Sequence, residues 1–117
     1  MNEDFLDPKA VKAAKEAEAE VKRNIRSRTM DINKLLKHPE FRRFVWYILR
    51  ETGIFRASFT NNSLQTAFLE GKRDIGLMLL ADIDNADTNA IFQIRQEYVS
   101  ALKSKEAVNK QEEVVNE

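Results

Sequence analysis

The sequence lacks most of the residues that punctuate a fold or carry out chemistry. It has no cysteine, which excludes a disulfide frame and a thiolate metal site. It has only three glycines and two prolines, and no segment alternates polar and apolar residues as a strand would. There is one histidine, His38, and one tryptophan, Trp46. Neither charge sign is in excess: Lys and Arg number 19, Asp and Glu 19. A protein built for bulk phosphate binding usually carries a clear basic surplus. No apolar run approaches the ~20 residues of a membrane span. The opening MNEDFLDPK is acidic and lacks the apolar stretch of a secretory signal. These absences lead us to expect a soluble intracellular protein, or one packaged inside a larger particle.

What is present favours helices. Ala, Glu, Lys, Leu and Arg dominate a chain of 117 residues, a length that suits one small domain. The fold class expected is all-α. It comprises a long N-terminal helical arm (1–29), a compact three-helix core (30–103) and a polar tail (104–117) expected to fray unless a partner holds it.

Asp7 is a good helix cap, and Pro8 suits the first helical position. The arm then runs to about Arg28 with a thin apolar stripe of Val11, Ala14, Val21 and Ile25, interrupted by Glu18. So little apolar surface gains little by packing on its own domain. TMDINKLLKH reads as a short linking helix or turn. Pro39 disfavours helical geometry at His38 and then opens the next helix. In that helix Phe41, Phe44, Val45, Ile48 and Leu49 form one face, with Trp46 and Tyr47 beside it, and Gly53 ends it. Ile54, Phe55 and Phe59 lie in a loop and are expected to turn into the core.

Asn62 or Ser63 can cap the third main helix. Its inward stripe is expected to be Leu64, Ala67, Phe68, Gly71, Ile75, Met78, Leu79 and Ile83. Gly71 on that stripe suggests a helix crossing closely there. Asp87 is a plausible cap for the last helix, whose face carries Ile91, Ile94, Tyr98, Ala101 and Leu102.

The residues offer little for catalysis. His38 has acids Asp31 and Glu40 nearby in sequence but no nucleophile pattern, and a capping or surface role fits it better. No phosphate loop, dinucleotide turn or nucleophile elbow occurs. Asp82, Asp84 and Asp87 lack the ligand spacing and central glycine of a calcium loop. No cofactor is expected, and a non-enzymatic role is. The candidate partner-binding residues are Val11, Val21 and Ile25 on the arm, with Trp46 and Tyr47 as anchors. The candidate nucleic-acid residues are Lys22, Arg23, Arg26, Arg28, Arg42, Arg43, Lys72 and Arg73. Trp46 and Tyr47 interleave with some of them.

One stretch carries a family pattern. It reads His38-Pro39, then Arg42-Arg43-Phe44 with Trp46, then Gly53-Ile54-Phe55 and Ser58-Phe59. It ends with Glu70-Gly71-Lys72-Arg73-Asp74-Ile75-Gly76-Leu77. From His38 to Ile83 the chain resembles a family of small helical proteins of tailed bacteriophages and prophages, whose prototype comes from a podovirus infecting Bordetella. It departs from the pattern at Glu40-Phe41, where smaller residues are expected. The genes of that family sit among portal, capsid and scaffold genes. The resemblance therefore implies a virion or assembly role, with other phage structural proteins, the portal among them, as partners. It gives no catalytic residue to carry over. A homo-oligomer or ring would suit a portal partner. DNA, or a host protein bound by a soluble phage accessory protein, are the alternative partners. The place of action would be the virion or the cytoplasm of the infected host.

Overall fold

The computed structural model describes residues 7–115. Among them the chain is helical throughout its regular structure: α1 (Pro8–Leu35), α2 (Pro39–Glu51), α3 (Ser63–Ala86) and α4 (Ala90–Val115). Residues 1–6 of the expected arm and 116–117 of the expected tail lie outside this range.

The helix starts follow the caps in the sequence. Asp7 Oδ1 accepts from the Lys9 amide at 3.0 Å, and Pro8 takes the first helical position. Asn62 Oδ1 accepts from the amides of Leu64 and Gln65 at 2.9 and 3.1 Å. Gly53, just past the end of α2, has φ +74°, a backbone shape that glycine adopts without strain. Asp87 does not cap α4. Its carboxylate holds the Asn89 amide at 2.9 Å, and its carbonyl accepts from Ala90 at 3.1 Å, tightening the α3–α4 turn.

Two expected segments are absorbed by their neighbours. No separate linking helix or turn forms after Arg28, because α1 continues unbroken to Leu35. The Thr29 hydroxyl, bonded to the Ile25 carbonyl at 2.8 Å, stays within the helix. The polar segment after Ser104 is also helix, since α4 runs on to Val115 with its outer half exposed. Helices of 28 and 26 residues are about 42 and 39 Å long. The molecule measures 85 × 41 × 16 Å, so both long helices must extend from the centre in different directions. It is extended rather than compact.

The core is small. Leu36, Val45, Trp46, Leu49, Ile54, Ile83, Ala90 and Ile94 are buried, and Ile32, Phe41, Leu79 and Tyr98 pack around them. All four helices contribute, so the end of α1 is a wall of the core rather than an arm outside three helices. The α1–α3 contact is the most extensive between helices. It includes Arg28–Asp82 at 3.3 Å and the Asn33 amide to the Ala86 carbonyl at 2.9 Å.

The faces of α2 and α3 differ in part from those expected, although Phe41, Val45 and Leu49 of α2 do turn to the core. On α2, Val45, Trp46 and Leu49 are buried, while Phe44 is 57% exposed. Trp46 is thus core rather than an anchor beside it. In the loop only Ile54 is buried: Phe55 is exposed against the Trp46 ring at 5.3 Å, and Phe59 stands in solvent. Thr60 ties the loop instead, its amide and hydroxyl both bonded to Thr66 Oγ1, at 2.9 and 2.8 Å.

On α3, Leu64, Phe68, Ile75 and Met78 are all exposed, and a Cβ at Gly71 would meet nothing. The close approach falls at Gly76, which is buried against the side chains of Thr52 and Ile54. Leu79 and Ile83 of the expected stripe do face the core; five residues along a helix is roughly 140° of rotation, enough to turn Leu64, Phe68, Ile75 and Met78 outward.

Gly76→Ala should therefore destabilise the fold by about 1–3 kcal/mol through overpacking. Gly71→Ala should bring no such loss. Chemical denaturation of the two variants, read by circular dichroism, checks the contrast.

Candidate functional site

A groove of about 440 Å³ lies between α2 and the middle of α4. Buried Trp46 and Ile94 and half-buried Tyr98 line its depth. Exposed Arg43, Tyr47, Arg50, Leu102 and Lys105 line its edge. Trp46 sits between Phe55 and Tyr98, with ring centroids 5.3 and 5.4 Å away.

Arg42 holds the groove together. Its Nε donates to both carboxylate oxygens of Glu97, at 3.1 and 3.0 Å, and its Nη1 donates to the Leu36 carbonyl at 2.7 Å. One side chain on α2 thereby joins the end of α1 to α4. Gln93 Nε2 donates to the same Glu97 at 3.1 Å, which fixes the carboxylate from a second side. Arg50 makes the next link: its Nη1 donates to the Tyr98 hydroxyl at 2.8 Å, and its guanidinium carbon lies 5.0 Å from the Tyr98 ring centroid. Such a contact combines a hydrogen bond with a cation–π attraction.

The Arg42 charge is thus neutralised by Glu97. Arg43, Arg50 and Lys105 then give the groove edge a net positive character over an apolar floor. This arrangement suits a segment that is partly apolar and partly acidic.

The residues expected to bind nucleic acid do not gather into one surface. Lys22, Arg23, Arg26 and Arg28 lie along α1, and Arg28 pairs with Asp82. Arg42 is bound internally, and only Arg43 of that pair reaches the groove edge. Lys72 lies over the Phe68 ring, 5.6 Å from its centroid, beside a second, smaller depression lined also by Glu51 and Arg56. Arg73 is half-buried on α3. The acids near it do not pair with it: Glu70 accepts from the Ser58 hydroxyl instead.

Of the expected partner-binding residues, Val21 and Ile25 are 56% and 42% exposed. Val11 is half-buried, Tyr47 stands at the groove edge and Trp46 is enclosed. Sequence reading counted Arg50 among the basic residues around Trp46 and Tyr47, but did not assign Tyr98, Leu102 and Lys105 to a site. Tyr98, Leu102 and Lys105 are spaced i, i+4, i+7 on α4, and Arg43, Tyr47 and Arg50 have the same spacing on α2. The signal was present in each helix, but nothing in the sequence says the two rows face each other.

His38 is exposed at the cap position of α2, with no side-chain capping bond. Among the described residues no group of three or more His, Asp or Glu side chains could hold a metal ion. No helix there is long and apolar enough to cross a membrane.

Residues 32–95 match the family of Bbp19-like phage proteins. The match covers more than half of the chain, and the chain belongs to that family: it is a bacteriophage-type protein. Every buried core residue, from Leu36 to Ile94, lies inside the matched stretch. Most of α1 and the outer part of α4 lie beyond it. Neither a curated protein nor a solved structure matches the chain.

Arg42→Ala should cost about 1–3 kcal/mol, because it removes charge-assisted bonds from a largely enclosed side chain and leaves Glu97 and the Leu36 carbonyl without it. Thermal denaturation should show the loss, and Arg43→Ala, on the open edge, should leave stability nearly unchanged.

Proposed function

We propose that this chain is a non-enzymatic component of the bacteriophage particle or of its assembly, and that it works by binding other virion proteins. The portal, the head–tail connection and internal, ejected proteins are the partner classes that fit. The groove between α2 and α4 is the observation that carries this reading. It offers an apolar floor with Arg43, Arg50 and Lys105 at its edge, and it lies between two helices fixed by Arg42 and Glu97. Aromatic and arginine side chains around a fixed hollow are the residue types that anchor protein contacts. The long helix ends outside the core add surface a partner can use, including the exposed Val21 and Ile25.

DNA is the second reading, favoured by the same cationic edge and by the exposed basic run from Lys22 to Arg26 on α1. A third reading is a soluble accessory protein acting on a host protein. Mass spectrometry of purified virions separates it from the first, since an accessory protein would be absent.

The decisive variant is Arg43→Glu with Arg50→Glu. It should fold like the parent by circular dichroism yet fail to co-purify with particles made in its presence. Normal incorporation of the variant would refute the groove as the docking site. For DNA, measurable binding of a labelled duplex at low salt, weakening steeply as salt rises, would favour the second reading.

A further inference from the structure

The chain exposes 9746 Å². A folded monomer of 13.6 kDa exposes roughly 6,600 Å². Roughly 3,200 Å² is therefore left uncovered by a single copy. Part of this surplus belongs to the outer ends of α1 and α4, and the rest includes an ordered apolar face.

That face follows a regular spacing. Leu64, Phe68, Ile75 and Met78 of α3 are 82%, 65%, 55% and 59% exposed. With Gly71 they step along the helix by four, three, four and three residues, the spacing of a coiled-coil seam. Gly71 is open, so it leaves a hollow in the middle of the row. The seam ends at Asp82, which pairs with Arg28 of α1, and one turn on Asn33 bonds to the Ala86 carbonyl. These contacts step in the same sense along both helices with an almost constant offset. Carried back toward the N-terminal ends, that offset brings Ile25 and Val21 to the level of Met78 and Ile75. Both are exposed as well.

We propose that the apolar row of α3 is covered by the same row of a second copy, giving a two-fold homodimer joined through α3. Two observations favour a second copy over an unrelated partner. The chain's surplus surface, the outer helix ends included, exceeds the roughly 1,000–2,500 Å² that an obligate homodimer takes from each chain. The seam is also complementary to itself: a two-fold axis at the level of Arg73 sets Gly71 against the partner's Ile75, hollow against bulk. The same axis sets Phe68 against the partner's Met78, and Leu64 against the partner's Asp82 beside Arg28.

Sedimentation velocity of the full chain tests the proposal. The parent should be a dimer, and Phe68→Glu with Ile75→Glu should weaken dimerisation by about 100-fold or more while helicity is kept. Both residues are exposed in a single copy, so the substitutions do not enter its core. A parent that stays monomeric through about 100 μM, or a double variant that dimerises as well as the parent, overturns it. Should the double variant lose helicity, a single cysteine decides, because the chain has none of its own. Gly71→Cys should cross-link readily with a short bismaleimide, and Ser100→Cys on α4 should not. Equal yields from the two, or none from Gly71→Cys, overturn the two-fold arrangement. Dimerisation and virion incorporation are read separately, so this face and the α2–α4 groove stand or fall independently.

Discussion

At Gly76 the side chains of Thr52 and Ile54 occupy the space where a Cβ would stand. This contact sets the rotation of α3 about its own axis. With Gly76 turned toward α2, Leu79 and Ile83 follow it into the core. Leu64, Phe68, Ile75 and Met78 are then carried to the outside. Ile54 also owes its burial to the absence of a side chain opposite. One missing methyl group therefore determines both what the core contains and which apolar row the molecule presents outward.

A largely enclosed arginine, Arg42, does comparable work on α2. Pattern reading assigns arginine to the water side and takes the core face from the apolar residues alone. By that logic Phe44 turns inward and Arg42 outward. Arg42 is instead drawn in by Glu97 and the Leu36 carbonyl, which satisfy its guanidinium with charge-assisted bonds. Trp46, four residues on, comes in with it, and Phe44 is turned out. Satisfying one enclosed charge thus outweighed the exposure of a phenylalanine.

These two cases mark what could be read in the sequence. Helix starts were legible because caps are local chemistry: Asp7, Asn62, Pro39 and Gly53 act on neighbours one to three residues away. The all-helical class was legible from composition, and the family from motifs spread over the middle of the chain. Helix rotation was not legible, because it depends on contacts between residues far apart, Thr52 with Gly76 and Arg42 with Glu97. The choice between Gly71 and Gly76 as the crossing point is of this kind, as both lie in favourable helix and differ only in what stands opposite. The groove was hidden for the same reason, since each of its walls is an ordinary row of side chains until the pairing of α2 with α4 is known. The length of α1 and α4 was underestimated because Thr29–Leu35 and Lys105–Val115 have no strong stop signal, and helices continue where nothing ends them.

The exposed outer parts of α1 and α4 are continuous with turns that the core already holds in helical form. An isolated peptide of either sequence would have to nucleate its own helix, a step disfavoured by a factor of about a thousand, or about 4 kcal/mol. Here that step is complete before any encounter. The outer turns need only propagate, one hydrogen bond per residue, outward from Leu36 along α1 and from Ile94 along α4. Their order should fade gradually toward each end rather than disappear all at once. A protein that grips either end meets a helix that has already formed, and the folded centre bears the cost of starting it.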